Sequence, residues 1–89
     1  MAEIKVHPRV HRRHPEIDDE DVRSAWRNAI RFVLRQLNEK DHYLVIGQGT
    51  SGRVIEIVAA REDDGSVLVF HAMTPPSKKT LKELGFIRR

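Results

Sequence analysis

The sequence predicts an α+β domain in which a long helix packs on a small antiparallel sheet of three to four strands, followed by a short C-terminal helix. An acidic helix start at residues 18–21 leads into apolar residues at three- and four-residue spacing. Beyond Asp41 the pattern changes to the alternating and continuous apolar runs that are typical of strands. Prolines before residue 77 and a glycine at position 85 then delimit a short helix.

The first element is a predicted edge strand over residues 4–13. Apolar and basic residues alternate here, with Ile4, Val6, Pro8 and Val10 on one face. Pro8 has no N–H to donate to a central ladder, so the strand is expected to lie at a sheet edge.

The predicted long helix follows. Asp18 is its expected N-cap, and the carboxylates of the first turn favour the positive end of the helix dipole. The apolar stripe consists of Val22, Ala25, Trp26, Ala29, Ile30, Val33 and Leu37. This spacing predicts one helix of roughly twenty residues. Such a helix also aligns Arg23, Arg27, Arg31 and Arg35 in a single arginine ridge.

Three strands are predicted near residues 42–46, 53–60 and 66–73. The Asp64-Gly65 dipeptide favours a type I′ turn, which makes the last two strands an antiparallel hairpin. The predicted pairs are Ile57 with Ala72, Val58 with His71 and Ala59 with Phe70. This register places Glu56 diagonal to His71 on one face. The glycine-rich segment 47–52 is expected to be a flexible hairpin connection, because no helix or suitably placed lysine follows it.

Length, composition and charge exclude several classes of protein. A chain of 89 residues with 39% hydrophobic residues predicts one domain over residues 1–89 and excludes a large cofactor-binding enzyme. The absence of cysteine excludes disulfides and thiolate chemistry. No apolar run reaches the ~20 residues of a membrane span, so we expect a soluble cytoplasmic protein without a membrane partner. The net charge of +3 fits an anionic partner.

Several residues have side chains suited to RNA cleavage, which needs a base, an acid and cations. His71 and Glu56 can share proton transfer, and Arg53 and Lys79 can stabilise phosphate charge. The alternative is that His71 is a histidine at the core edge and Glu56 a solvated strand residue. His7, His11 and His14 lie among basic residues, which disfavours a metal, so they are either proton donors or surface residues.

The order of several segments resembles the BrnT-like toxins of bacterial toxin–antitoxin pairs, within the RelE-like ribonuclease group. These segments are Arg13-His14 before the acidic helix start, Tyr43 to Gly47, Gly52 to Ile55, Ala60 to Glu62, and Phe70 to Ala72 before a lysine-bearing helix. The resemblance implies a RelE/BrnT-like fold and a messenger RNA endonuclease that inhibits translation. It further implies action without metal or organic cofactor, and a cognate antitoxin whose acidic or amphipathic segment covers the basic surface.

The resemblance also assigns roles to residues. The family's basic-histidine pair corresponds to Arg13 and His14, and its Glu-Arg pair corresponds to Arg61 and Glu62 in reversed order. The candidate catalytic residues are His71 as acid or base, Arg53 and Arg61 as phosphate stabilisers, Lys79 as a cation and His14 as a second proton donor. Where the family has an arginine after the last strand, this chain has Met73. Either His71 with Lys78 or Lys79 replaces that arginine, or the chain is not catalytic.

The second hypothesis is a non-catalytic basic module that binds nucleic acid or an acidic protein. It depends on the arginine ridge and on a basic tail containing Lys78, Lys79, Lys82, Arg88 and Arg89. Binding of intact RNA with a steep salt dependence is expected of the module, whereas a 2′,3′-cyclic phosphate product is expected of the nuclease.

Overall fold

The computed structural model describes residues 3–37 and 40–87, which form one mixed sheet and three short helices. The strands are β1 (Ile4–Val6), β2 (Ala29–Leu37), β3 (Lys40–Gln48), β4 (Val54–Arg61) and β5 (Val67–Met73). The helices are α1 (Pro8–Arg13), α2 (Asp19–Arg27) and α3 (Lys78–Glu83). The strand order is β1-β5-β4-β3-β2; β1 is parallel to β5, and the other neighbours are antiparallel.

The predicted long helix on a three- to four-stranded RelE/BrnT-like sheet is wrong. The predicted start is confirmed, since Asp18 and Asp21 form a reciprocal capping box. However, α2 ends at Arg27, and the following residues form β2, which pairs with β3 along its length. Residues such as Ile30 and Phe32 favour strands, and the β2–β3 ladder satisfies the backbone groups that a longer helix would have paired internally.

The arginine ridge is therefore absent, because its last two members belong to β2. Arg31 donates a hydrogen bond of 2.8 Å from Nη1 to the Leu84 carbonyl, and its guanidinium lies 4.6 Å from the centroid of the Phe86 ring. Arg35 forms an ion pair with Glu83 at the end of α3. Both arginines attach the C-terminal helix to the sheet.

The predicted first strand is also too long. Only Ile4–Val6 forms β1, and Pro8 begins α1 because its fixed φ suits the first helical position. His7 is the N-cap of this helix, and its Nδ1 accepts a hydrogen bond of 3.0 Å from the backbone N–H of Arg9.

The hydrophobic core lies mainly between the sheet and the helices α1 and α2. Its buried members are Val10, Ile17, Val22, Ala25, Val45, Ile55, Ile57, Ala59, Val67, Val69 and Ala72. A smaller cluster on the other face contains Leu44, Ile46 and Leu84 and is covered by α3. Gly47 lets α2 approach β3 directly, since a Cβ there would overlap the carbonyl of Ala25.

The three strands after Asp41 are confirmed. The predicted two-residue type I′ turn is wrong: Glu62 donates to the Ser66 carbonyl and Gly65 donates to the Glu62 carbonyl, so the loop consists of residues 63–65. The predicted register therefore holds only in part. The pairs Ile57–Ala72 and Val58–His71 are observed. A β-bulge then follows, and Ala59 pairs with Val69 instead of Phe70. Phe70 is thus the extra residue in β5, next to His71.

The short C-terminal helix is present as α3. Ser77 is its N-cap and accepts a hydrogen bond from the backbone N–H of Thr80, and Gly85 follows with a φ of +81°. Arg88 and Arg89 of the predicted basic tail lie outside the described residues.

Candidate active site

The hairpin of β4 and β5 brings Glu56 and His71 together. Their nearest atoms, Oε2 of Glu56 and Nε2 of His71, lie 2.7 Å apart. The Glu56 side chain is only 7% exposed, whereas that of His71 is 30% exposed. Because Val58 pairs with His71, Glu56 occupies the diagonal position on the same face, as the sequence predicts.

The second carboxylate oxygen of Glu56 is held by the N-cap of α3. Ser77 donates to Oε1 from its backbone N–H at 3.0 Å and from its hydroxyl at 2.9 Å. Burial raises the pKa of Glu56, but hydrogen bonds from His71, Ser77 and Thr80 outweigh burial and lower that pKa to about 2. Glu56 is therefore a carboxylate at neutral pH.

This charge fixes the tautomer of neutral His71. A carboxylate only accepts hydrogen bonds, so Nε2 of His71 carries the proton that faces Glu56. Nδ1 is then the nitrogen that can take up a proton, and it has no hydrogen bond to any residue in ranges 3–37 and 40–87. Carboxylate–histidine pairs of this kind orient the ring and stabilise the imidazolium.

His14 lies beside this pair. Its ring centroid is 6.4 Å from that of His71, and the two rings are nearly perpendicular at 87°. His14 caps the C-terminus of α1, and α1 packs against β5. Its Nδ1 is 3.5 Å from Oε2 of Glu16. Two neighbouring histidines, each with one nitrogen near a carboxylate, are suited to general acid–base catalysis.

Lys79 occupies the helical turn next to the pair. It lies two residues beyond Ser77, whose N–H and hydroxyl bind Glu56. Lys78 and Lys79 lie in the first turn of α3, and both are exposed. The structure thus brings His71, His14 and the lysine-bearing turn into one region.

Arg53 is bound to other groups. Its Nη2 donates to Oδ2 of Asp21 at 3.0 Å and to the Glu16 carbonyl at 2.9 Å. Asp21 is 4% exposed and also accepts hydrogen bonds from the backbone and hydroxyl of Thr50. The loop over residues 47–52, predicted to be flexible, is held in place by these bonds.

Arg61 lies at the opposite end of β4. It is five residues beyond Glu56, which separates their backbones by about 17 Å. The arginine lines a polar cavity of about 290 Å³ together with Lys40, Asp41 and Glu62. Arg61 is three residues, or about 10 Å, from Val58, the cross-strand partner of His71, and its side chain lies on the other face of β4.

Sequence reasoning missed the role of Ser77. The signal was present, because Ser77 follows two prolines and is a natural N-cap, but a cap pattern does not reveal which carboxylate the cap contacts. Met73, at the position of the family's arginine, pairs directly with Glu56.

His11 also has a structural contact that the sequence did not indicate. Its Nδ1 lies 3.0 Å from the Ile17 carbonyl, and its Nε2 lies 2.5 Å from Oδ1 of Asp19. The Ile17 carbonyl and the Asp19 carboxylate raise the pKa of His11 against a smaller opposing effect of burial. Protonated His11 therefore links the end of α1 to the start of α2.

No protein family, curated protein or solved structure matches this chain. Within ranges 3–37 and 40–87, every helix is too short or too polar to cross a membrane. In the same ranges, no group of three histidine or carboxylate side chains has the geometry to hold a metal ion.

Proposed function

We propose that this protein is a metal-independent endoribonuclease, the toxin of a bacterial toxin–antitoxin pair, which cleaves messenger RNA and inhibits translation. The observation that carries the proposal is the 2.7 Å contact between His71 and the buried Glu56 carboxylate, with His14 beside it. The family resemblance supplies the biological class, and the chemistry rests on this pair rather than on the fold.

The reaction follows from the two histidines. Nδ1 of His71 takes the proton from a ribose 2′-hydroxyl, and the 2′ oxygen attacks the neighbouring phosphorus. The bond from phosphorus to the 5′ oxygen breaks as protonated His14 gives that oxygen a proton. The products are a 2′,3′-cyclic phosphate and a 5′-hydroxyl. Glu56 stabilises the imidazolium of His71, and Lys79 stabilises the negative charge that develops on the phosphorane.

The non-catalytic module loses one of the two basic surfaces on which it depended, the arginine ridge, while Lys78 and Lys79 of the basic tail are exposed. Arg31 and Arg35 bind the Leu84 carbonyl and Glu83, so they do not continue a helical ridge from Arg23. The nuclease is preferred because a buried carboxylate orients a partly exposed histidine, an arrangement suited to general acid–base catalysis.

The proposal includes a cognate antitoxin. Its support is the edge strand β2, which carries Ile30, Phe32 and Leu34 at 54%, 65% and 49% exposure. Rows of exposed apolar side chains along an unpaired strand edge are typical of protein–protein contacts. An amphipathic antitoxin segment can pair with this edge and cover the row. Co-purification with the antitoxin should be lost in Phe32→Glu and retained in Val54→Glu, which alters another exposed apolar residue.

The activity test uses purified protein and end-labelled messenger RNA in buffer with a chelator. The wild type should release fragments with 2′,3′-cyclic phosphate ends. His71→Asn and His14→Asn should lower the cleavage rate by about 100-fold or more, as expected when a general base or acid is removed. His7→Asn is the matched control, because asparagine preserves the N-cap of α1.

Controlled expression in bacteria gives the second readout. Wild-type protein should arrest growth and fragment messenger RNA, and His71→Asn should relieve both effects. Intact RNA with a salt-sensitive mobility shift would instead support the binding module. Cleavage that persists in both His71→Asn and His14→Asn would refute the catalytic assignment.

A further inference from the structure

A cavity of about 310 Å³ lies on the sheet face that carries His71. Its lining residues are Arg35, His42, Tyr43, Leu44, Val58 and Phe70. Two of these residues adjoin the catalytic pair directly: Val58 is the cross-strand partner of His71, and Phe70 precedes His71 in β5. The cavity therefore adjoins the site at which the phosphate is expected to bind.

The β-bulge provides the aromatic wall of this cavity. In a regular strand Phe70 and His71 would point to opposite faces, because side chains alternate. The extra residue at the bulge turns Phe70 toward the face of His71. There the Phe70 ring meets the His42 ring at a centroid distance of 6.1 Å and an angle of 78°.

The side chains that line the cavity favour a ligand with a flat aromatic ring. Leu44, Val58 and Phe70 present apolar surface, and a phenyl face stacks on any nucleobase. His42 uses Nδ1 near the Lys40 carbonyl, at 3.2 Å, which leaves Nε2 for a polar edge of a ligand. Arg35 adds a guanidinium that is 44% exposed, although it also contacts Glu83. Flat apolar walls next to a cation and a histidine fit a nucleotide.

We propose that this cavity is a nucleobase subsite, in which Phe70 stacks on the base of the nucleotide whose phosphate lies between His71 and His14. The inference rests on the proposed ribonuclease function, because the phosphate position comes from the catalytic pair. The subsite contributes to the affinity for the substrate and to the base preference at the cleavage position. His71 and His14 carry out the proton transfer.

The kinetic test separates binding from chemistry. Phe70→Leu keeps an apolar side chain but removes the stacking face, so KM for a short RNA should rise by about tenfold. The kcat should change less than twofold, and the base preference at the cleavage position should persist, because stacking tolerates any base. Phe70→Tyr retains the ring and should restore wild-type KM. Phe86→Leu, at an exposed phenylalanine beyond α3, is the control.

A binding experiment makes the two proposals distinguishable. The His71→Asn protein is titrated with each of the four ribonucleoside 3′-monophosphates, with and without Phe70→Leu, and followed by NMR. The expected result is preferential binding of one base that Phe70→Leu weakens about tenfold.

Three results have different consequences for the two proposals. Active enzyme with unchanged KM in Phe70→Leu overturns the subsite and leaves the nuclease standing. In the second result, the wild type binds nucleotides in a Phe70-dependent way and yet cleaves no RNA. That result supports a nucleotide-binding site and overturns the nuclease. Absence of both cleavage and nucleotide binding overturns both proposals.

Discussion

Replacement of Glu56 by glutamine tests the buried group of the candidate site whose pKa is most strongly shifted. Glutamine keeps an oxygen acceptor for Ser77 but removes the charge that faces His71. The pKa of Glu56 is lowered from 4.5 to about 2, which corresponds to about 3 kcal/mol because one pKa unit equals about 1.4 kcal/mol. The side chain is 7% exposed, so solvent screens this contribution little.

The pH range follows from the sign of the shift. A carboxyl group whose pKa is lowered by folding stabilises the protein fully above its unfolded pKa, here about 4.5. That stabilisation is lost as the pH falls through the folded pKa of about 2. The difference in free energy of unfolding between the wild type and Glu56→Gln should therefore shrink by about 3 kcal/mol between about pH 5 and pH 2.

Urea unfolding at a series of pH values measures this difference. Asp64, whose pKa is also lowered to about 2, and Asp21, whose pKa is lowered, titrate in both proteins and cancel in the comparison. A difference that stays constant from pH 5 to pH 2 would refute the hydrogen-bonded carboxylate. The same variant should also lose RNA cleavage at neutral pH, because His71 loses the group that orients its ring.

Other substitutions test the remaining contacts by urea unfolding. Gly47→Ala should destabilise the protein by about 3 kcal/mol or more through overlap with α2, whereas Gly65→Ala, with open space and a positive φ, should cost about 1 kcal/mol. His11→Ala should destabilise more at pH 6 than at pH 9, because the Ile17 carbonyl helps to raise the pKa of His11, and this stabilisation is lost as the pH rises through that pKa. Arg53→Ala should lower stability by about 2 kcal/mol but leave the kcat of RNA cleavage unchanged, since its guanidinium hydrogen-bonds to the buried Asp21 carboxylate and to the Glu16 carbonyl. These expectations would be contradicted by equal losses of stability in the two glycine variants. They would also be contradicted by a loss of stability in His11→Ala that does not change with pH, or by a large loss of kcat in Arg53→Ala.

The elements that could be predicted are those with local signals. Asp18 begins a helix because its own side chain binds an N–H three residues later. The Asp64-Gly65 turn and Gly85 mark chain reversals through backbone conformations that need no distant partner. The predicted long helix was wrong because residues such as Val33 fit both a helical stripe and a strand, and only pairing with β3 decides between them.

The candidate site also combines features that the sequence predicted with features that only distant contacts decide. The sequence predicted Glu56 diagonal to His71 from a two-residue turn, but the loop has three residues, 63–65, and the predicted pairing at His71 is restored only by the β-bulge at Phe70. Arg53 and Arg61 were chosen by residue type; Arg53 binds Asp21 and the Glu16 carbonyl, and Arg61 lines a separate polar cavity. The proximity of His14 depends on α1, where the alternating pattern had predicted a strand.

The sequence by itself determined the starts of α2 and α3 and the presence of the final hairpin. These features depend on hydrogen bonds and backbone conformations within a few residues. The tertiary structure alone decided that residues 29–37 form a strand, that Ser77 binds Glu56, and that His14 lies beside His71. Each of these contacts joins residues distant in the chain, and its free energy exists only once the sheet has brought them together.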